Sequence, residues 1–298
     1  MEAGLTGSPL TPIIVSGATS QIGVFLLPRL IEAGFHVHAL SRKDTIIQNH
    51  SFFTWHQLDI TNGWRIMEIP GISQFFHLAP IWLLPDIIEA LSCYGIRRIV
   101  ALSSTSRFTK LDSENHQERE ISKKLAAAEK AFIAKCVDHG ISWTLFRPTL
   151  IYGCEKDKNV TIIAKFISRF GFFPLTGRGE GYRQPVHADD VAKACTAALT
   201  CPNTCNRAYN LSGGQMLTFK EMVEAIFLAL NKKPRIVNIP EKLAYFLLKG
   251  ASLFPAYRFL NNEMIKRMDQ DLCFDSSDAI SDFGYSPRGF QYQPGRNP

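Results

Sequence analysis

Apolar and polar positions along the chain follow two periods that alternate. Ile13, Ile14 and Val15 form a short β-prone run, a tight Ser16-Gly17 turn follows, and Ile22, Phe25, Leu26 and Leu30 then recur at helical spacing. Residues 35–40 alternate as a second strand, 52–60 read as a third ending near Asp59, and 75–80 as a short fourth. A helix over 85–94 precedes a fifth strand, 98–102, which runs into Ser103, Ser104, Thr105 and Ser106. A long helical region, 112–139, carries Leu125, Ala128, Phe132 and Ile133 on one face and leads to a strand at 142–146. Strands and helices alternating at this spacing predict an α/β fold with a doubly wound parallel sheet.

Beyond Gly153 the pattern changes. Val160 to Phe170 repeats as an amphipathic helix, 171–183 is a loop rich in glycine and aromatics, and Asp189 is placed to cap a helix reaching about Leu199. Residues 209–212 read as another strand, and Thr218 caps a helix over 219–230. The remainder is mainly helical, with a polar tail.

Composition narrows the class. With 298 residues, 46% of them hydrophobic, the chain can bury a large core. Its charge of +6 is spread out, without basic blocks or basic-aromatic alternation, which excludes nucleic acid as the expected partner and suits an anionic small molecule. Seven cysteines form neither C-x-x-C nor any metal-ligand cluster, so no metal is expected and reduced thiols in the cytoplasm are. The first ten residues lack the basic start and apolar run of a signal peptide, and no run reaches transmembrane length. The apolar stretch 243–254, flanked by Lys242, Lys249 and Arg258, is read two ways: as an interfacial helix making weak contact with a membrane surface, or as a buried helix shortened by Gly250 and Pro255.

The glycine turn carries the first chemistry. Gly17 lets the chain turn sharply, Gly23 lets helix and strand approach, and the helix N-terminus offers N–H groups to a pyrophosphate. Ser20 stands where the motif's middle glycine would be, a small residue that still allows close approach. After the second strand come Ser41 and Arg42, with no acid before Asp44. An acid there would bind a ribose 2′-hydroxyl, whereas an arginine accommodates a 2′-phosphate, so NADP is favoured over NAD. The hydroxyl run at 103–106 is either a site that positions a carbonyl or simply a turn.

Taken in order, Gly17-Ala-Thr-Ser-Gln-Ile-Gly23, Leu58-Asp59-Ile60, His77-Leu78-Ala79, Leu102-Ser103-Ser104-Thr105, Arg147-Pro148-Thr-Leu-Ile-Tyr152-Gly153, Pro185-Val186-His187-Ala-Asp189-Asp190-Val191-Ala192 and Tyr209-Asn210-Leu211-Ser212 resemble the extended short-chain dehydrogenase/reductase superfamily, in its epimerase/dehydratase branch. The resemblance implies a Rossmann domain over 11–155, completed by 185–212, and a smaller substrate-binding region over 156–184 and 213–298. It implies that Thr19, Ser20, Gln21 and Ile22 line the phosphates, Asp59 and Ile60 the adenine, Leu78, Ala79 and Pro80 the central ribose, and Pro148 the nicotinamide, with Ser41 and Ser103 beside the cofactor. Ser104 falls on the family's catalytic Ser/Thr.

The family's Tyr-x-x-x-Lys pair does not match in place. Aligned through Ala126-Ala127-Ala128-Glu129, its positions hold Ile121 and Leu125, which transfer no proton. A one-residue slip offers Glu120 and Lys124 as a replacement base and ribose contact, or as a solvated ion pair. Tyr152-Gly-Cys-Glu-Lys156 matches by letter but lies in a loop after Arg147-Pro148 and is read as a decoy. Arg178 and Arg183 either hold an anionic group of the substrate or are solvated. Two functions follow: an NAD(P)-dependent oxidoreductase or epimerase acting by hydride transfer on a nucleotide-sugar or other carbonyl substrate, or a catalytically inactive NAD(P)-binding sensor or scaffold. Family members often dimerise through the region 112–139, which would make this chain a homodimer.

Overall fold

The computed structural model describes residues 11–42, 50–62, 69–157, 159–251 and 262–295. Residues 1–10, Lys43, Asp44, Pro255 and Arg258 lie outside these, as does the side chain of Lys249. Seven strands form one parallel sheet. β1 (Thr11–Ser16), β2 (Phe35–Ser41), β3 (Phe53–Gln57), β4 (Gln74–His77), β5 (Arg98–Leu102) and β6 (Ser142–Pro148) are joined by Arg207–Leu211, in the spatial order Arg207–Leu211, β6, β5, β4, β1, β2, β3. The order reverses between β1 and β4. Ligands of open α/β sheets bind at such a switch point, outside the carboxyl ends of the strands.

The strands read as continuous apolar runs because both faces are covered. On one side α1 (Gly23–Glu32) and the helix Ala188–Thr200 bury Ile13, Val15, Val37 and Phe76 with Leu26 and Val191. On the other, α2 (Ile88–Cys93) and the long helix His116–Asp138 bury Ile14, Phe75, Ile99 and Leu145 with Leu91, Leu125 and Phe132. A third core holds the smaller region. Val160–Phe170 and Phe219–Ala229 pack Ile163, Ile167, Met222 and Ile226 around Tyr152, beside a parallel pair of short strands, Phe173–Leu175 and Ile236–Asn238. The tail serves both regions: Ala279 and Tyr285 enter the sheet core, and Phe290 the third.

Several boundaries differ from the sequence reading, each for a local reason. The third strand stops at Gln57, because Thr61 donates from N–H and hydroxyl to Asp59 Oδ1 and the chain turns into the 3₁₀ turn Ile60–Asn62. The helix expected over 85–94 is divided into a 3₁₀ turn, Pro85–Ile87, and α2. Asp189 is not the cap of its helix. His187 is, accepting the Asp189 N–H at Nδ1 (3.1 Å), while the Asp189 carboxylate is held by Arg29 and Arg288 from elsewhere in the chain. Thr218 does cap the helix Phe219–Ala229, in a reciprocal capping box with Glu221.

Candidate functional site

The switch point is closed by two glycines and a histidine. Gly17 adopts φ +69°, and a Cβ there would lie 2.6 Å from Ala79 N and 2.7 Å from Leu78 C. At Gly23 a Cβ would lie 2.0 Å from Ala18 O. Ser20, in the place of the middle glycine, accepts the Gly23 N–H on its Oγ (3.1 Å) and tightens the turn rather than blocking it. Gln21 Oε1 is buried without a hydrogen-bond partner, as suits an acceptor that a bound cofactor would satisfy. Ile22 is buried and Thr19 exposed. The cradle has the close backbone approach a dinucleotide requires, so the residues present fit NAD(P).

His77 fixes the neighbouring strand end. Its Nε2 lies 3.1 Å from Pro80 O, which can only accept, so Nε2 carries the proton and Ser16 Oγ donates to Nδ1 (2.8 Å). The bonds tie β1 to the 78–80 stretch. Burial pushes the imidazole down from 6.5 to about 4. Between those values the unfolded chain takes up the proton first, so the stabilisation is complete above pH 6.5 and is lost as pH falls through 4. A displacement of this size corresponds to roughly 3 kcal/mol, or about 5–10 °C in melting temperature for a chain of this size. Melts between pH 7 and 4 should therefore drop steeply, and His77→Gln should flatten that dependence; an unchanged slope would locate the sensitivity elsewhere, His38 being also displaced to about 4.

The adenosine side is formed by the ends of β2 and β3. Ser41 is buried and Arg42 exposed directly after β2. The Thr61 hydrogen bonds, and Arg42 beside them, hold the Asp59 carboxyl below its usual range, and Ile60 is buried next to it. Leu78 is buried, Ala79 half-buried and Pro80 exposed.

Beyond β5 the hydroxyl run faces two directions. Ser103 Oγ donates inward to Glu129 Oε1 (2.5 Å), and Glu129, fully buried on the long helix, also pairs with Arg107 and with Arg147 (2.8 Å). Ser104 lines a cavity of about 430 Å³ with Gln21, Thr149 and Lys156, and its Oγ accepts the Ser106 N–H (3.1 Å), leaving its hydrogen to donate to a ligand. Pro148 is buried, its carbonyl accepting from Thr105 N–H (3.2 Å) and hydroxyl (3.3 Å).

Lys156, which by sequence belongs to a decoy match, reaches the site. Cys154 and Glu155, both non-glycine residues at positive φ (61° and 54°), bend the loop so that Lys156 Nζ lies 3.1 Å from Thr19 O, on the glycine turn. Tyr152, its partner by letter, is buried, with its hydroxyl accepting the Gln291 N–H (3.1 Å) and its phenol pushed up by burial. The letter match therefore supplies a cation at the cradle but no proton-transferring tyrosine.

The structure does not bring Glu120 and Lys124 to this cavity. Both are exposed on the long helix, Glu120 paired with Lys123 (3.2 Å) and the Lys124 ammonium over the Trp82 ring (4.6 Å). Of the two arginines, Arg178 is exposed and meets Glu180 (3.8 Å), whereas Arg183 is buried and lines the cavity. Arg183 donates to the carbonyls of Tyr182 (2.8 Å), Gln270 (2.5 Å) and Arg267. Among the described residues no group of three or more His, Cys, Asp or Glu is arranged to hold a metal ion, and no helix is long and apolar enough to cross a membrane.

Residues 83–212 match the model of the NAD dependent epimerase/dehydratase family. The chain is 27% identical over 179 residues to NADH dehydrogenase [ubiquinone] 1 alpha subcomplex subunit 9 of Arabidopsis thaliana, a match that covers 57% of this chain and spans 43% of that protein's length. It is 25% identical to 2-alkyl-3-oxoalkanoate reductase of Shewanella oneidensis, over 91% of this chain and 81% of the relative. The fold superimposes on UDP-glucuronic acid 4-epimerase of Bacillus cereus, solved with UDP-glucuronic acid and NAD, at a TM-score of 0.70 and 15% identity, covering 93% and 94% of the two chains. Residues 83–212 are thus similar to the NAD dependent epimerase/dehydratase family, and the chain shares its α/β fold with a solved nucleotide-sugar epimerase.

Proposed function

We propose that the chain binds NADP(H) in preference to NAD(H) and catalyses hydride transfer at a carbonyl substrate held beside Ser104. The observation that carries this is the cavity joining the glycine cradle to Ser104, with Gln21 and Lys156 on its wall. Gly17 and Gly23 admit the pyrophosphate, Lys156 adds positive potential at Thr19, and Ser104 directs its hydroxyl hydrogen to the substrate oxygen. The bound nicotinamide would supply the hydride. In the reducing direction the carbonyl carbon gains that hydride and the oxygen takes its proton from water. Free cysteines suit a cytoplasmic setting.

The preference for NADP(H) rests on Arg42 at the end of β2. A charged hydrogen bond to the 2′-phosphate contributes about 1.5–3 kcal/mol, so Arg42→Ala should weaken NADPH binding roughly 10- to 100-fold and leave NADH within about twofold. Fluorescence titration with each cofactor reads this directly; equal losses would remove the 2′-phosphate role. The neighbours supply two candidate substrate classes to test: nucleotide-sugars, because the B. cereus epimerase was solved with UDP-glucuronic acid, and alkyl oxo-acids, because of the activity named for the S. oneidensis relative.

A second reading, cofactor binding without turnover, is favoured by Ile121, exposed on the long helix, and Leu125, buried in the sheet core. Tight NADPH binding with no oxidation across UDP-glucose and a panel of ketones would select it.

A further inference from the structure

Behind the polar cavity lies a second one of about 260 Å³, with a different lining. Ile162, Phe166, Phe173, Phe219, Met222 and Met268 form its walls, drawn from the helices Val160–Phe170 and Phe219–Ala229, the strand Phe173–Leu175 and the chain that returns at 262–272. The two cavities adjoin each other. Leu150, Asn159, Arg183, Arg267 and Leu272 line both.

The two guanidinium groups at this junction are engaged by the protein. Arg183 donates to three backbone carbonyls and lies over the Phe219 ring (5.6 Å). Arg267 makes a two-pronged pair with Glu118 (2.5 and 2.9 Å), which Lys110 also approaches (3.4 Å). A diphosphate entering here would meet guanidinium groups whose main bonds already go to the protein, and a nucleoside beyond it would meet hydrocarbon. Methionine and phenylalanine instead present a deformable apolar surface suited to alkyl or aryl groups.

We infer that the substrate is amphipathic: its carbonyl lies beside Ser104, and a hydrocarbon arm passes between Leu150 and Leu272 into the cavity formed by Phe166, Phe219 and Met222. The inference rests on the proposed hydride-transfer site for the head of the substrate, while the arm depends on the second cavity alone. Its chemical class is an alkyl or aryl ketone, not a nucleotide-sugar.

Calorimetric titration with a series of alkan-2-ones from four to twelve carbons tests it, on the protein both with and without NADPH. Burial of each added methylene should tighten binding about fourfold until the cavity is filled. UDP-glucose should bind more weakly than the long ketones. Ile162→Trp, at a half-buried position on the wall, should weaken the longest ketone at least tenfold with butan-2-one and NADPH affinity unchanged. Affinity independent of chain length, or UDP-glucose binding more tightly than dodecan-2-one, overturns the inference. Failure of NADPH to bind, with chain-length dependence intact on the protein alone, would overturn the cofactor reading and leave the apolar arm standing.

Discussion

Gly17→Ala should abolish measurable NADPH binding, with a loss of at least 100-fold in a fluorescence titration. Two effects act together at this position. The residue holds φ +69°, a region that costs an L-residue about 1–2 kcal/mol. The added methyl would also stand within 2.7 Å of the backbone at Leu78 and Ala79, which cannot swing aside like a side chain. Those atoms are fixed, because Leu78 N–H donates to Ser16 O (3.0 Å), β1 pairs with β4 through Ser16 and His77, and His77 is bonded at both ring nitrogens. The strand ends must part, which moves the turn that carries Thr19 to Ile22. Gly34→Ala is the control. That glycine also has positive φ (85°) but nothing within 4 Å of the new methyl, so it should lose about 1 kcal/mol of stability and keep its cofactor affinity. Binding of NADPH by Gly17→Ala within threefold of the unaltered protein would separate the glycine turn from the cofactor.

What the sequence disclosed was local. β1, its glycine turn and α1 were legible because their apolar periods change within a few residues, and the helix Val160–Phe170 because its amphipathic pattern is uninterrupted. Ser104 and Gln21 could be placed at the carboxyl ends of their strands, where the structure brings them to one cavity. Contacts over long separations were not legible. Asp189 reads as a cap by residue type, yet Arg29 and Arg288 claim its carboxylate from 160 and 99 residues away. Arg183 reads as a loop cation, yet the returning segment at Arg267 and Gln270 buries it. Lys156 reads as a decoy because two left-handed non-glycine residues, which no pattern announces, aim it at the cradle.

Glu129 is the sharpest of these unannounced features, and its removal should have the largest effect on stability. The sequence offers it only as the end of an alanine run on a helix; the structure buries it completely and surrounds it with Arg107, Arg147 and Ser103. Deleting one partner of a buried ion pair leaves uncompensated charge, at a cost of about 3–5 kcal/mol. Glu129→Ala should lower the free energy of unfolding in urea by that amount. Glu129→Gln keeps the volume and should recover little, because two guanidinium groups would still face a neutral amide. Combining Glu129→Leu with Arg147→Met should recover part of the loss, since replacing charges together with apolar groups of similar volume removes both the attraction and the desolvation cost. The functional consequence runs through one residue. Ser103 is anchored to Glu129 immediately before Ser104, so any Glu129 variant that still folds should lose turnover more than it loses NADPH affinity. A Glu129→Gln protein within about 1 kcal/mol of the parent in stability, with unaltered turnover, would show that the hydroxyl loop is held by the Thr105 bonds to Pro148 and not by the buried carboxylate.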